Sequence, residues 1–504
     1  MSYSNRKQSV TDRMVGLLYR NFIAAKMQSI PGIILLGLIA IAISFAVYKI
    51  GFLMGLGIIG GILGLTIAAI CLLSTELGYY IIITISTFIF FISRLAHDAI
   101  PAGVGIDVLI ALNFLGIYFQ KTINKERYWS YSRNPITYVY FLFIAFMLVE
   151  LFNPSMYSIA GWVFAFRKML NFVMIYFIGL HVFKDMKSVK TFMKVWLTLM
   201  LIVALYGCYQ HIFGLPSFEY AWVSSDPIRL RLYLQAGVMR DYSFLSDPTS
   251  FGIIMASSAL IALVLAMGPV SPRRRNQLLF GMAIMGLAMG YSGTRTAYAM
   301  VPAGAVFFML MTITSRRTLA FAIIGIMGFV ILVFGPFYNS TAQRIRSTFR
   351  PTNDESFSVR DINRHRIQPY IYMHPLGGGL STAGVQGEQY NPGHPLAGFP
   401  PDSGLLKSAV ETGWVGLALS CLIYFVVLQT GISNYYKCQS KEIRNYYAAG
   451  LVGMFSMVVA QYSQVAIGQI PGSFLFYGLM PMMVKLITFD KTSTQTQPNK
   501  LHEQ

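Results

Sequence analysis

The sequence predicts an all-α, polytopic membrane protein of about fourteen transmembrane helices with a large extracytoplasmic loop. Three observations carry this. Of the 504 residues, 55% are hydrophobic and only 12% charged, a balance outside the range of soluble domains. Apolar runs of about twenty residues, the length that crosses a bilayer core as a helix, recur along nearly the whole chain. Lysine and arginine gather in alternate short links between those runs, as membrane topology requires. The formal net charge of +19 is therefore topological and gives no reason to expect a nucleic-acid partner.

Residues 1–29 carry Arg6, Lys7, Arg13, Arg20 and Lys26 with no small-residue cleavage site behind a short apolar core. They read as a cytoplasmic N-terminal segment, not as a removed signal peptide. A first bundle part, 30–335, holds spans near 30–48, 50–72, 78–93, 103–119, 136–151, 157–180, 191–213, 249–268, 277–291, 296–314 and 318–335. A large extracytoplasmic loop, 336–403, follows. A second bundle part, 404–489, holds spans near 404–429, 445–465 and 470–489, and residues 490–504 form a cytoplasmic tail. Of the four cysteines, Cys71, Cys208 and Cys421 fall in spans and Cys438 in an inner loop, so no disulfide framework is implied.

Sidedness follows from the cations. Lys121, Lys125, Arg127 and Arg133, then Lys184, Lys187 and Lys190, Arg273 to Arg275, Arg316 and Arg317, and Lys437, Lys441 and Arg444 occupy alternate links. Those links and both termini go inside. The long segments 214–248 and 336–403 then face outward, yet they hold Arg229, Arg231, Arg240, Arg344, Arg346, Arg350, Arg360, Arg364 and Arg366 and not one lysine. Arg295 comes out on the same side. For solvation alone arginine and lysine are nearly interchangeable, whereas a planar five-donor fork is favoured where phosphate or carboxylate is gripped in two places. The competing reading is that these arginines staple the loops through Asp226, Asp241, Asp247, Asp354, Glu355 and Asp361. That reading is expected to hold for Arg229, Arg344 and Arg346.

The loops contain no phosphate-binding glycine loop, no paired-cysteine or HExxH metal signature and no GxSxG elbow. The inner links are also too short for a nucleotide-sugar domain. A donor already in the membrane, a lipid diphosphate, fits an outward site whose anion grips are arginines. With that leaving group the chemistry needs charge stabilisation and one base to take the acceptor's hydroxyl proton. Candidate bases are Asp361, His365, His374, Glu388, His394 and Asp402. Most isolated polar loop residues only shape turns, and Asp402 or Ser403 could simply cap the next helix. Arg167 and Lys168 lie inside an apolar span, where a charge is costly and faces a cavity or a partner.

Four motifs then stand in order: RDYSFLSDPTSFG from Arg240, SGTRTA around Arg295, SVRDINRHRIQPYIYMHPLGGG with Arg360, Pro375, Gly377 and Gly379, and DSGLLKSAVETGWVG with Asp402, Leu406, Glu411, Gly413 and Gly416. Across residues 240–416 this series resembles the family of O-antigen ligases and Wzy-type polysaccharide polymerases. The resemblance implies a GT-C-like all-α membrane fold, no metal or other cofactor, and a polyprenyl-diphosphate-linked oligosaccharide as donor. It implies that Arg240, Arg295 and Arg360 clamp the diphosphate; the loop residues Arg364, Arg366, Asp361, His374 and His394, together with Glu411 of the last motif, are further substrate-binding candidates. Membrane lipids, a flippase and a chain-length regulator are the other partners it brings to mind. The family's ligase histidine is Asp402 here, followed by Ser403 in place of asparagine, which favours a polymerase over a ligase. The expectation is thus a bacterial inner-membrane polymerase that extends surface polysaccharide, such as exopolysaccharide, capsule or O-antigen, on the extracytoplasmic side. The alternatives are a ligase with a lipid A core acceptor, a transporter of lipid-linked oligosaccharide, and a structural partner in polysaccharide assembly. No internal repeat supports a transporter.

Overall fold

The computed structural model describes residues 29–50, 52–96, 98, 102–123, 125, 132–235, 237–313, isolated positions between 320 and 346, and 355–495. The N-terminal segment, more than half of the expected span 318–335 and most of the first third of the large loop, including Arg344 and Arg350, lie outside the described residues. The helices are α1 Ile30–Ile50, α2 Phe52–Leu73, α3 Thr75–Leu95, α4 Ala102–Ile123, α5 Pro135–Val149, α6 Ile159–Val182, α7 Met186–Phe213, α8 Ser217–Ser224 and α9 Pro227–Tyr233. They continue with α10 Pro248–Met267, α11 Pro272–Tyr291, α12 Arg295–Met311, α13 Glu355–Met373, α14 Gly384–Tyr390, α15 Gly404–Lys437, α16 Lys441–Ala460 and α17 Gly472–Gln495. The strands are β1, Leu234–Gln235, and β2, Val238–Met239, which pair antiparallel with Leu234 opposite Met239.

Among the described residues, eight helices are long and apolar enough to cross a membrane, and the chain is a multi-pass membrane protein. The expected spans at 277–291 and 445–465 exist as α11 and α16, but both open on charged first turns, PRRRN and KEIRN, which lower their hydropathy. The expected span at 296–314 is α12, with 17 residues.

The chain divides into two compact units. In the smaller, residues 1–82 and 107–130, α4 closes on the junction of α2 and α3. Asn113 Nδ2 donates to Thr75 O at 3.2 Å and Gln120 Nε2 to Leu73 O at 2.9 Å. Gly116 lets α4 approach closely, since a Cβ there would strike the Leu72 carbonyl oxygen.

In the larger unit α10 is the central post, buried along almost its whole length. It packs on α11, α12 and α16, and α12 in turn packs on α16. Without a hydrophobic driving force between helices in lipid, close packing comes from small residues and interhelical hydrogen bonds. The α10 sequence supplies both. Gly252, Ala256, Ala259 and Ala262 allow close approach, Ser257 Oγ meets Ser456 Oγ at 3.1 Å, and Ser258 Oγ accepts from Trp196 Nε1 at 3.1 Å. Around this post α6 packs on α17 and α5 on α15. Large apolar side chains such as Phe141, Phe280 and Leu310 stay exposed, as a lipid-facing surface requires.

Contacts gather the cationic links of this unit at one end. Lys190 pairs with Glu442 at 2.7 Å, Arg274 donates to Tyr446 Oη at 3.2 Å, and Asp490 accepts from the main-chain N–H groups of Gln439 and Ser440 at 2.8 and 3.0 Å. The segments 214–248, 355–403 and 461–471 meet at the other end.

Candidate active site

The segment 214–248 is fastened from below by a residue the sequence reading overlooked. Arg94, at the last turn of α3 and 2% exposed, donates to Leu245 O and Ser243 O, both at 2.6 Å, and pairs with Glu219 at 3.3 Å. Its guanidinium lies 4.8 Å from the Tyr242 ring centroid. Gln210 completes the fastening: its Nε2 donates to Glu219 Oε2 at 2.7 Å and its Oε1 accepts from Ser243 N at 2.7 Å. The two carbonyls and the Glu219 carboxylate offset the cost of burying this charge, while Arg94 Nε finds no hydrogen-bond partner among the described residues. Arg229, expected to staple an aspartate, instead donates to Trp222 O at 2.7 Å and lies over the Trp222 ring at 3.8 Å, while Asp226 caps α9. The expected acid partner was wrong because a flat guanidinium stacks on an indole as readily as it pairs. Arg346 likewise donates to a main-chain oxygen, that of Gly335.

The β1–β2 hairpin, turned through Gly237 at φ 72°, delivers Arg240 to the link between α11 and α12. Arg240 is buried. Its Nε donates to Ser292 O at 2.9 Å and its Nη2 to Thr294 Oγ1 at 3.1 Å, and Thr294 Oγ1 donates on to Pro248 O at 2.9 Å. The SGTR turn fits here because Gly252 on α10 has no Cβ to strike Ser292 and Thr294. Arg240 therefore holds the turn whose next residue, Arg295, opens α12 and is exposed.

A loop between α16 and α17, residues 461–471, joins this turn to the rest. Ser463 Oγ meets Thr296 Oγ1 at 2.8 Å. Tyr462 O accepts from Arg364 Nη2 at 2.9 Å, and the Arg364 guanidinium lies 4.7 Å from the Tyr462 ring centroid. Arg360, one turn earlier on the same stripe of α13, is half-buried. That stripe continues through Ile367 and Ile371, which pack with Leu396, Ala409 and Val410. Its apolar half thus anchors the helix and its cationic half points along the same face. Asp361, His365 and Arg366 fall on other faces and are exposed, with Asp361 and His365 paired at 3.6 Å. Contacts link the turn held by Arg240, from which Arg295 opens α12, through Ser463 and Tyr462 to Arg364, with Arg360 one turn away on the same half-buried stripe and Asp361 and Arg366 on other faces.

The glycine turn and the segment around Glu411 interlock. Helix α15 breaks at Gly413, φ 63° and ψ −162°. The carbonyls of Val410 and Glu411, left without helical partners, accept from Gly378 N and Gly379 N, both at 2.9 Å. The two backbones cross so closely that a Cβ on Gly413 would strike Pro375 O, and one on Gly377 would come within 2.6 Å of the Glu411 carbonyl. Ser403, not Asp402, caps α15 by accepting from Leu406 N at 2.9 Å. That leaves the Asp402 carboxylate uncommitted to capping, and its Oδ2 is buried and accepts no hydrogen bond from the described residues. Gly404 N, two residues on, donates to Gln464 O at 3.2 Å, so Asp402 borders the same 461–471 loop.

The far side of that loop, through Val465, Gly468 and Gln469, walls a cavity of about 390 Å³. Lys168, Gln386, Lys407 and Glu411 supply its polar groups and Tyr140, Phe172, Tyr424 and Tyr477 its aromatic ones. Glu411 is 5% exposed and lies 3.9 Å from Lys407 Nζ. Lys168 confirms that a cation within an apolar stretch faces a cavity. The histidines are differently placed. His394 accepts from Leu396 N on Nδ1 at 3.1 Å and bonds Ser155 O through Nε2 at 3.1 Å, so both ring nitrogens are used by the main chain. Burial holds this imidazole below its ordinary value, against the Ser155 bond, which raises it. His374 stacks on Tyr370 at 4.0 Å and bonds Tyr370 O at 2.9 Å. Glu388 is exposed.

The 461–471 loop and Lys407 were missed from sequence. The signal was present in QYSQVAIGQIP, a polar and glycine-rich break between apolar runs, but the preceding span was drawn to 465 when α16 ends at Ala460. No curated protein matches the chain. A family model described as O-antigen ligase, Wzy_C, matches residues 280–421, which contain the SGTR turn, α13 with its arginines, the glycine turn, Asp402 and Glu411. The match is confined to this segment, and it supports an O-antigen ligase or Wzy-type family for the chain.

Proposed function

We propose that the chain is an extracytoplasmic polymerase of the bacterial inner membrane, transferring a growing glycan from a polyprenyl diphosphate to a sugar hydroxyl of an incoming lipid-linked repeat unit. The observation that carries this reading is the 461–471 loop. It ties the first turn of α12 to α13, borders the buried Asp402 Oδ2 and walls the cavity beside Glu411.

In the reaction the acceptor O–H gives its proton to the Asp402 carboxylate while its oxygen attacks the anomeric carbon of the donor. The bond from that carbon to the diphosphate breaks, and the electron pair leaves on the diphosphate. Arg295 and Arg360 stabilise the negative charge that develops there, which preorganised donors do best. Arg240 is a positioning residue that holds Arg295's turn, and Arg364 fixes α13 against Tyr462. The aromatic faces, amides and Lys168, Lys407 and Glu411 of the 390 Å³ cavity receive a sugar of the lipid-linked substrate. His394 and His374 shape the loop around it. Guanidinium charge takes the part a metal plays elsewhere, so the reaction proceeds without one.

The test is to supply the purified protein with lipid-linked repeats alone. Laddered products support the polymerase. A ligase is the second reading, favoured by the description of the matching family model. It predicts no product until a core acceptor is added. Movement of lipid-linked oligosaccharide without any new glycosidic bond would contradict both.

A further inference from the structure

A second, larger cavity, about 700 Å³, opens at the cationic end of the bundle between α7, α10 and α11. Its lining is graded. On one face of α7, Lys187, Lys190 and Lys194 are followed by Leu197 and Leu201, and on α11 Arg273 and Arg274 are followed by Leu278 and Met285. From Lys187 to Leu201 the helix rises about 21 Å, close to the depth of one leaflet. Phe280, which also lines the crevice, is 60% exposed, so the opening lies on the lipid-facing flank.

The charge is not balanced internally. Lys190 pairs with Glu442 and Arg274 reaches the Tyr446 hydroxyl. Lys187, Lys194 and Arg273 have no ion pair among the described residues. The bias that places cations on one side of a membrane explains the charges. It does not explain a crevice that converges them above an apolar channel.

We infer that this crevice binds one anionic glycerophospholipid, its headgroup phosphate held by Lys187, Lys194 and Arg273 and an acyl chain lying along Leu197, Leu201, Leu278 and Met285. The inference is independent of the transfer reaction, whose candidate residues lie at the opposite end.

The test is lipid retention by the full-length protein, purified in detergent and incubated with mixed dioleoylphosphatidylglycerol and dioleoylphosphatidylcholine, read by native mass spectrometry. Each cation near the surface contributes a factor of about five, so three give a preference for phosphatidylglycerol of roughly 100-fold at low salt. The triple variant Lys187→Gln/Lys194→Gln/Arg273→Gln brings the two lipids to near parity, while Lys437→Gln/Lys441→Gln, which removes charge at the same end outside the crevice, keeps the preference. Leu201→Trp fills the apolar channel and lowers phosphatidylglycerol retention with the charges intact, which separates the site from surface charge should the triple variant misfold. Equal retention of both lipids by the native protein, equal loss of preference in the control variant, or displacement by millimolar inorganic phosphate overturns the inference.

Discussion

Gly413→Ala probes the crossing of the glycine turn with α15. At φ 63° and ψ −162° the position lies in a region that essentially only glycine occupies, and a side chain there costs about 1–3 kcal/mol. The added Cβ also meets the main-chain oxygen of Pro375, which cannot rotate away. Relief requires the backbones to separate, weakening the 2.9 Å bonds from Gly378 N and Gly379 N to Val410 O and Glu411 O. Leaving those carbonyls unpaired costs about 1–3 kcal/mol each. The sum is on the order of 3–9 kcal/mol, enough to unseat the loop. Two substitutions calibrate it. Gly393→Ala has a similar φ, 82°, but nothing within 4 Å of the new Cβ, so only the backbone strain of about 1–2 kcal/mol remains. Gly416→Ala meets Thr412 and Phe146 side chains and costs intermediate energy. Thermal stability in detergent, read by fluorescence-detected size exclusion, is expected to fall most for Gly413→Ala and least for Gly393→Ala. A Gly413→Ala protein as stable as Gly393→Ala would refute the interlock.

The site yields further expectations. Arg295→Ala removes one donor to the developing diphosphate and should lower turnover by about 100- to 1,000-fold with stability unchanged, measured by product ladders. Arg240→Lys keeps the charge but loses the fork to Ser292 and Thr294, so both stability and turnover should drop; a loss of turnover alone would make Arg240 a direct ligand instead. Asp402→Asn leaves the Ser403 cap in place and should reduce turnover by about 100- to 10,000-fold at native stability. Chelation by EDTA should leave turnover unchanged. For His394 the folded value lies below the ordinary 6.5, so the unfolded chain binds the proton more readily. The loop's stability is then full above about 6.5 and falls as pH drops through the lower, folded value. Thermal scans from pH 7.5 to 5 should show that decline, and His394→Gln should flatten it.

What could be read from the sequence was what periodicity, charge and short motifs encode. Apolar runs gave the helices, and cations in alternate links gave an end that the Lys190–Glu442 and Arg274–Tyr446 contacts draw together. The glycines of PLGGG and ETG stood out in the sequence only as motif positions, and the fold supplies their reason, a crossing of two backbones at Gly413. Partners were harder. Arg229 chose an indole over an aspartate because both satisfy a guanidinium, and sequence does not rank them. Asp402 and Ser403 are equally good caps on paper, and only the coordinates assign the cap to Ser403. Arg94 and the 461–471 loop act through residues more than fifty positions away in the chain, Arg94 on Ser243, Tyr462 on Arg364 and Ser463 on Thr296. Long-range contacts of this kind leave no local periodicity to detect.

The central claim is that guanidinium groups from separate elements meet one diphosphate beside Asp402. The most direct measurement is a structure of the protein with a polyprenyl diphosphate bound. The account predicts diphosphate oxygens within hydrogen-bonding distance of Arg295 and Arg360, next to the 461–471 loop, with the anomeric carbon facing Asp402. A headgroup bound away from both arginines, or at the cationic end of the bundle, would contradict it.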